Sequence, residues 1–459
     1  MLHRFSLNGF NIVLDVCSGA VHRLDEISYA LSAFADENMQ EELPEQAVVV
    51  LTGQYDESAL RETWGELYTL YKQGVFCSKD TFRNLTAGEA KAPIKSMCLN
   101  VAHDCNLRCK YCFASTGDFG EGRKLMPFEV GKAALDFLVR NSASRHNLEV
   151  DFFGGEPLMN FDVVKRLVAY GRSIEEANNK HFRFTLTTNG VLLDDEKIDF
   201  INREMHNIVL SIDGRPQVND QMRPHADGRG SYDEIIGRYK KLVSQRGEKE
   251  YYVRGTYTHQ NLDFASDVLH LADEGFDQIS VEPVVCDDTS AYALQQDDLP
   301  RLFAEYEKLS QAYLARRKQG KRFNFFHFML DLEEGPCIIK LLRGCGCGNE
   351  YVAVTPDGDI YPCHQFVGQS DFVMGNVLHA PGVFENAMKS DFSKQNLFTK
   401  KGCGDCWARY FCAGGCNANN QLYNNDMRQP LELSCALEKK RLECALMIQA
   451  ALSEDENIC

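Results

Sequence analysis

The chain is 459 residues long, 44% apolar and 25% charged, with a formal net charge of -17 and a mean hydropathy of -0.33. That length suits two to four domains with ample core, and the acidic balance argues against a nucleic-acid or anionic-membrane partner, which needs a basic footprint. The longest near-apolar run, Cys444 to Leu452, falls far short of the roughly 18 residues that span a bilayer. Of 18 cysteines, four fall between Cys98 and Cys112 and ten between Cys337 and Cys444. Residues 1–9 hold no apolar core with a cleavage site, so no secretory signal is expected. In the reducing cytoplasm that follows, clustered cysteines read as metal ligands rather than disulfides.

Residues 1–85 open with two β-rich runs around a Ser-Gly turn between Phe10 and Leu24, a hairpin signal. Helical patterns follow from about Glu26 to Ala35 and from Glu57 to Val75, the latter with Leu60, Trp64, Leu67, Leu70 and Tyr71 at three- and four-residue steps. A hairpin with short helices suggests a winged-helix unit, and Asp36, Glu37, Glu41, Glu42 and Glu45 disfavour DNA as its ligand. The unit resembles the peptide-recognition element of enzymes that modify ribosomally made peptides, in which a leader peptide adds a strand to the hairpin edge.

Residues 86–320 alternate strand and helix patterns. Strands are predicted at 97–101, 148–153, 182–187, 207–212, 251–258 and 278–283, with helices between them and a long one over Leu299–Lys318. Six βα units predict a parallel sheet rolled into a partial (β/α)6 barrel, with ligands at the C-terminal strand ends. After the first strand comes Cys105-Asn-Leu-Arg-Cys109-Lys-Tyr111-Cys112-Phe113. Three thiols at this density select an iron-sulfur cluster, zinc or copper(I). A trio, rather than the quartet of a closed site, leaves one corner of a cubane for something that is not protein. Gly154-Gly155-Glu156-Pro157 ends the second strand, Thr188-Asn189-Gly190 the third and Ser211-Ile-Asp213-Gly214 the fourth. Two glycines admit a close backbone approach to a ligand, and a carboxylate beside them can receive an ammonium group.

These motifs, one per strand and in this order, resemble those of the radical S-adenosylmethionine (radical SAM) enzymes. The resemblance implies a 4Fe-4S cluster on Cys105, Cys109 and Cys112 whose open iron chelates the amino and carboxylate groups of SAM. One electron from that cluster then releases a 5′-deoxyadenosyl radical. Tyr111 and Phe113 are expected around the adenine, Gly154, Gly155, Glu156 and Pro157 at the amino group, and Thr188, Asn189, Ser211 and Asp213 around the ribose and methionine. Arg223 and Arg254 are candidates for the SAM carboxylate.

Residues 321–459 carry Cys345-Gly-Cys347-Gly, then Gly358-x4-Cys363, then Cys403-x2-Cys406-x5-Cys412-x3-Cys416-x18-Cys435. The thiols suffice for two further clusters, and the spacing also suits zinc. Order and gaps resemble the SPASM extension of radical SAM enzymes. That resemblance assigns Cys403, Cys406, Cys412 and Cys435 to an outer auxiliary cluster, and Cys363, Cys416 and one of Cys345 or Cys347 to an inner one. Two cysteines separated by one glycine are not expected to reach different corners of one cubane. A three-ligand inner cluster, open to a substrate thiolate, is therefore expected, with Cys337 as the other candidate ligand. Metal binding to a thiol there lowers its pKa. His103 and His364 are expected to be satisfied structural histidines, and Cys17, Cys77, Cys98, Cys286, Cys444 and Cys459 lie outside every pattern.

Taken whole, the chain is similar to thioether synthases of the sactipeptide type, and among them to maturases of "six cysteines in forty-five" (SCIFF) peptides. The implied activity is Cys sulfur-to-Cα cross-linking of a cysteine-rich precursor peptide with a leader, using SAM, three 4Fe-4S clusters and a reductant such as ferredoxin or flavodoxin. The competing reading is another SPASM maturase, forming a carbon-carbon link or oxidising Ser or Cys as in sulfatase maturation. A cytoplasmic, oxygen-free setting is expected, with no nucleic acid and no membrane involved.

Overall fold

The computed structural model describes residues 1–83, 92–332, 338–379 and 387–456. The expected domain boundary at 85/86, Cys337 and Cys459 lie outside the described residues. The N-terminal module is a three-stranded antiparallel sheet, β1 (Leu2–Leu7), β2 (Phe10–Asp15) and β3 (Val21–Leu24), followed by α1 (Glu26–Leu31), α2 (Glu45–Leu51) and α3 (Glu57–Lys72). Asp56 caps α3 by accepting from Ser58 N. Leu60, Trp64 and Leu67 turn one helical face onto Val13 and Leu31, a core of its own. β1 and α2 were not predicted, and β3 is an edge of the small sheet.

The rest is built on one open mixed sheet of 11 strands. Its elements run β4 (Ser96–His103), β5 (Lys124–Leu125), α4 (Phe128–Asn141), β6 (Asn147–Gly154), α5 (Phe161–Asn178), β7 (His181–Thr188), α6 (Asp195–Glu204), β8 (Asn207–Ser211), α7 (Pro216–Met222), α8 (Tyr232–Ser244), β9 (Glu250–Tyr257), α9 (Phe264–Asp273), β10 (Gln278–Pro283) and α10 (Leu299–Lys318). The six predicted strands are all present and lie as parallel neighbours in chain order. The sheet is larger than expected. β11 (Asn324–Phe325) adds parallel to β10, and after α11 (Ile338–Arg343) the strand β12 (Tyr351–Val354) adds parallel to β4 at the far side. β13 (Asp359–Tyr361) and β14 (Gly375–Asn376) extend that side antiparallel. The C-terminal segment thus continues the same sheet, which sets its thiols beside the end of β4. It finishes with α12 (Ala387–Ser393), α13 (Arg409–Cys412), α14 (Asn417–Asn424) and the 25-residue α15 (Glu432–Glu456). Among the described residues no helix is long and apolar enough to cross a membrane.

Candidate active site and auxiliary thiols

A cavity of about 290 Å³ opens at the C-terminal ends of the parallel strands. Its walls include Cys105, Cys109, Cys112, Tyr111, Phe113, Gly154, Gly155, Glu156, Thr188, Asn189, Ser211, Arg223 and Arg254. Thirteen of the candidate residues therefore converge, and Pro157 and Asp213 stand behind the wall. Pro157 is buried at the start of a short 3-10 turn.

The cysteine loop is pinned from both sides. Arg108 N donates to Pro224 O at 2.8 Å and Lys110 N to Met222 O at 3.0 Å, tying it to the end of α7. Gly155 N donates to Ala102 O at 2.7 Å and Glu156 N to Asp104 O at 2.8 Å. A Cβ on Gly154 would lie 2.2 Å from Ala102 O, and one on Gly155 would lie 2.1 Å from Asp104 O. The two glycines thus make room for the cysteine loop itself, a neighbour the sequence reading took to be the ligand. Gly117, at φ +102°, closes the third side, where a Cβ would sit 2.6 Å from Cys105 Cβ. Cys105 Sγ accepts from Leu107 N at 3.4 Å and Asn189 Nδ2 at 3.5 Å.

The Glu156 carboxylate lines the cavity and is held by donors of the chain itself. Its Oε1 accepts from Leu158 N at 3.0 Å and Thr188 Oγ1 at 2.8 Å, and its Oε2 from Asn189 N at 2.8 Å. The side chain ties β6 to the end of β7, and burial pushes its carboxyl up to about 7. Asp213 is also spoken for. It is fully buried, accepts from Tyr111 OH at 2.8 Å and from Thr256 N at 2.9 Å, and faces Arg223 Nε at 3.0 Å. Asp213 therefore orients Tyr111 and Arg223. Arg254 shares its charge with Glu282, 2.6 Å away. Thr256, Glu282, His364, Gln365 and Asn419 also line the cavity. The first two sit at the C-terminal ends of β9 and β10, where the strand-end rule applied to every strand would have found them. His364 lines the cavity, and its Nδ1 meets Tyr351 OH at 3.1 Å. His103 is buried against Phe119, with neither ring nitrogen hydrogen-bonded among the described residues.

Every described cysteine is a free thiol. Burial raises the Cys105 and Cys109 thiols to about 12. Three free thiols on one cavity wall, with Arg223 and Arg254 on the same wall, fit a cluster carrying a small zwitterion, since a bound metal displaces the thiol protons.

The C-terminal thiols fall into two sets. The Cys347 thiol donates to Cys363, with Cys345 and Cys416 in electrostatic range of Cys363. Cys412 and Cys406 act on Cys403 in the same way, and Cys435 on Cys412. Cys347 and Cys363 are buried in one cluster against which Cys416 packs, while Cys345 is exposed. Gly346, at φ +76°, accepts from Glu350 N and Tyr351 N, which closes a tight turn ahead of β12. Between the sets lies Lys400, 5% exposed, its ammonium donating to Gly414 O at 2.9 Å and Gly415 O at 3.2 Å. The sequence reading missed it, since an isolated lysine carries no pattern.

A model of a 4Fe-4S single-cluster domain matches residues 96–237, and the SPASM iron-sulfur cluster-binding model matches 345–407. A cysteine-type anaerobic sulfatase-maturating enzyme of Clostridium novyi is 23% identical over 333 residues, 69% of this chain and 86% of that one. An uncharacterized protein of Methanocaldococcus jannaschii is 31% identical over 147 residues, 32% of this chain, which spans about half (48%) of that protein's length. Among solved structures, anSMEcpe with bound AdoMet and a Cp18Cys peptide superposes with a TM-score of 0.65 at 20% identity, over 80% of this chain and all of that one. Streptococcus suis SuiB bound to S-adenosylmethionine gives 0.54 at 17%, over 94% and 98%. The chain thus carries a match to a 4Fe-4S single-cluster domain over residues 96–237 and to a SPASM iron-sulfur cluster-binding domain over 345–407, on a fold shared with anSMEcpe and SuiB.

Proposed function

We propose that the chain installs Cys sulfur-to-Cα thioether links in a ribosomally made, cysteine-rich precursor peptide. The observation that carries the reading is a shared wall: His364, Gln365 and Asn419, each within three residues of Cys363 or Cys416, line the same cavity as Cys105, Cys109 and Cys112. A substrate segment seated there meets both the SAM motifs and the inner thiol set. When bound, the cluster and SAM supply a 5′-deoxyadenosyl radical. Cys105, Cys109 and Cys112 would hold that cluster, and Cys345, Cys347, Cys363, Cys416 and Cys403, Cys406, Cys412, Cys435 two auxiliary ones. Tyr111, fixed by Asp213, and Phe113 flank the SAM side, while Arg223 and Arg254 supply positive charge for a carboxylate. The buried walls hold the substrate carbon near the radical and keep water out. Each link removes two hydrogens from the peptide: one atom goes to the SAM-derived radical, and the other leaves as a proton to solvent and an electron to an iron-sulfur acceptor. A ferredoxin- or flavodoxin-type donor supplies the electron that starts each turnover.

The N-terminal module, read as a winged-helix peptide-recognition element, supports a peptide substrate, because β3 is an edge strand of its sheet among the described residues, where an extended leader can add. A solved relative, SuiB, is described bound to precursor peptide SuiA. Oxidation of Cys or Ser is the second reading, favoured by the sulfatase-maturating relatives and by the peptide-bound anSMEcpe fold. Mass spectrometry of a Cα-deuterated cysteine-rich peptide incubated with reduced holoenzyme and SAM separates the two. The thioether reading expects each link to remove one deuterium from Cα and one hydrogen from sulfur, with the deuterium recovered in deoxyadenosine. Aldehyde formation, with deuterium retained at the acceptor Cα, would count for the second.

A further inference from the structure

The residues between the outer thiols are held chiefly by the N-terminal module, some 330 positions away in sequence for the Asp80 contacts. Trp407 lies flat on His3, with centroids 3.6 Å apart and planes 3° apart. Arg409 is 3% exposed. Its Nη2 faces Asp80 Oδ2 at 3.1 Å and Cys17 Sγ at 3.3 Å, and its Nη1 reaches Met1 Sδ at 3.3 Å and the Cys406 carbonyl at 3.2 Å. Tyr410 OH donates to the other Asp80 oxygen at 2.5 Å, and its ring meets Phe82 edge-on at 5.3 Å. On the Cys403 side, Arg83 pairs with Asp405.

Holding a metal loop together does not require a buried ion pair, since the metal closes the loop and burying two charges is costly. What this pair does supply is a fixed dipole whose positive end contacts the carbonyl of an outer-set cysteine. Groups one shell away from a cluster set its potential. We infer that the N-terminal module is part of the outer centre: Asp80 and Arg409 are positioning residues that set the reduction potential of the cluster held by Cys403, Cys406, Cys412 and Cys435. The inference rests on the outer thiols holding an iron-sulfur cluster, and it is independent of which bond the enzyme forms.

The test is a redox titration followed by electron paramagnetic resonance on the full-length holoenzyme. Asp80→Asn removes a negative charge and raises the outer midpoint potential, while Arg409→Gln lowers it. Each shift produces a several-fold change in the reduced-to-oxidised ratio at the wild-type midpoint, and the SAM-cluster signal stays in place. Asp80→Glu and Arg409→Lys, which keep the charges, restore wild-type behaviour. Unmoved potentials, or shifts of the same sign in both neutral variants, overturn the inference. A second measurement needs no cluster: amide exchange over 406–412 in the metal-free full chain rises in Asp80→Asn and not in Arg61→Gln, which breaks an exposed pair on α3. Exchange in Asp80→Asn equal to wild type also overturns it.

Discussion

Gly155, Asp213 and Lys400 shape the site through contacts within the chain. With a Cβ placed 2.1 Å from Asp104 O, Gly155→Ala forces the cysteine loop off the GGEP turn. Overpacking of that kind costs about 1–3 kcal/mol. The expected outcome is a folded protein with a lower melting temperature that fails to retain the SAM cluster, checked by calorimetry and iron counting. Asp213→Ala leaves Arg223 buried without its carboxylate, a change worth about 3–5 kcal/mol. Tyr111→Phe removes only one hydrogen bond to the same acid, worth about 1 kcal/mol. Denaturant titration of the two variants is expected to rank them in that order. Lys400→Met leaves the Gly414 and Gly415 carbonyls without their donor and removes the cation between the thiol sets. Reduced auxiliary iron after anaerobic reconstitution is expected, with Lys400→Arg closer to wild type.

The elements that carry the site were readable because they are long and periodic. β4 is a buried apolar run, while β6, β7, β8 and β9 alternate buried apolar residues with less buried, mostly polar ones, a two-residue period that shows in the sequence. By contrast β11, β12, β13 and β14 span two to four residues, too short for any period to show, and they form only because neighbouring strands offer unpaired backbone groups. β3 is as short, yet the turn before it revealed it. If its free edge takes the leader strand, adding a leader-bearing peptide protects the amides of Val21–Leu24 in hydrogen-exchange mass spectrometry. Unchanged exchange there, with saturating peptide, would locate the docking site elsewhere.

At the scale of the whole molecule, one sheet carries both the strand-end motifs and the β12–β14 extension, with β4 between β6 and β12. Full reconstitution is expected to load about twelve irons as three cubanes. The triple substitution of Cys105, Cys109 and Cys112 by Ala is expected to lose about a third of them and all deoxyadenosine production. Separate Cys345→Ala and Cys347→Ala variants each lower inner-cluster iron if all four gathered thiols are ligands. Retention of full iron by either one would restore the three-ligand expectation.

Chemistry was written locally: thiol spacing, the glycine pairs and the strand-end motifs are short-range patterns, and the cysteine-rich stretches alone marked the metal-binding segments. Partnership was not. That Glu156 and Asp213 accept from internal donors, that Lys400 reaches the Gly414 and Gly415 carbonyls and that Asp80 grips the outer loop all depend on residues brought together across tens to hundreds of positions. Such contacts exist only once burial strips water from the polar groups and makes each find a partner in space, and no local spacing encodes which partner that is.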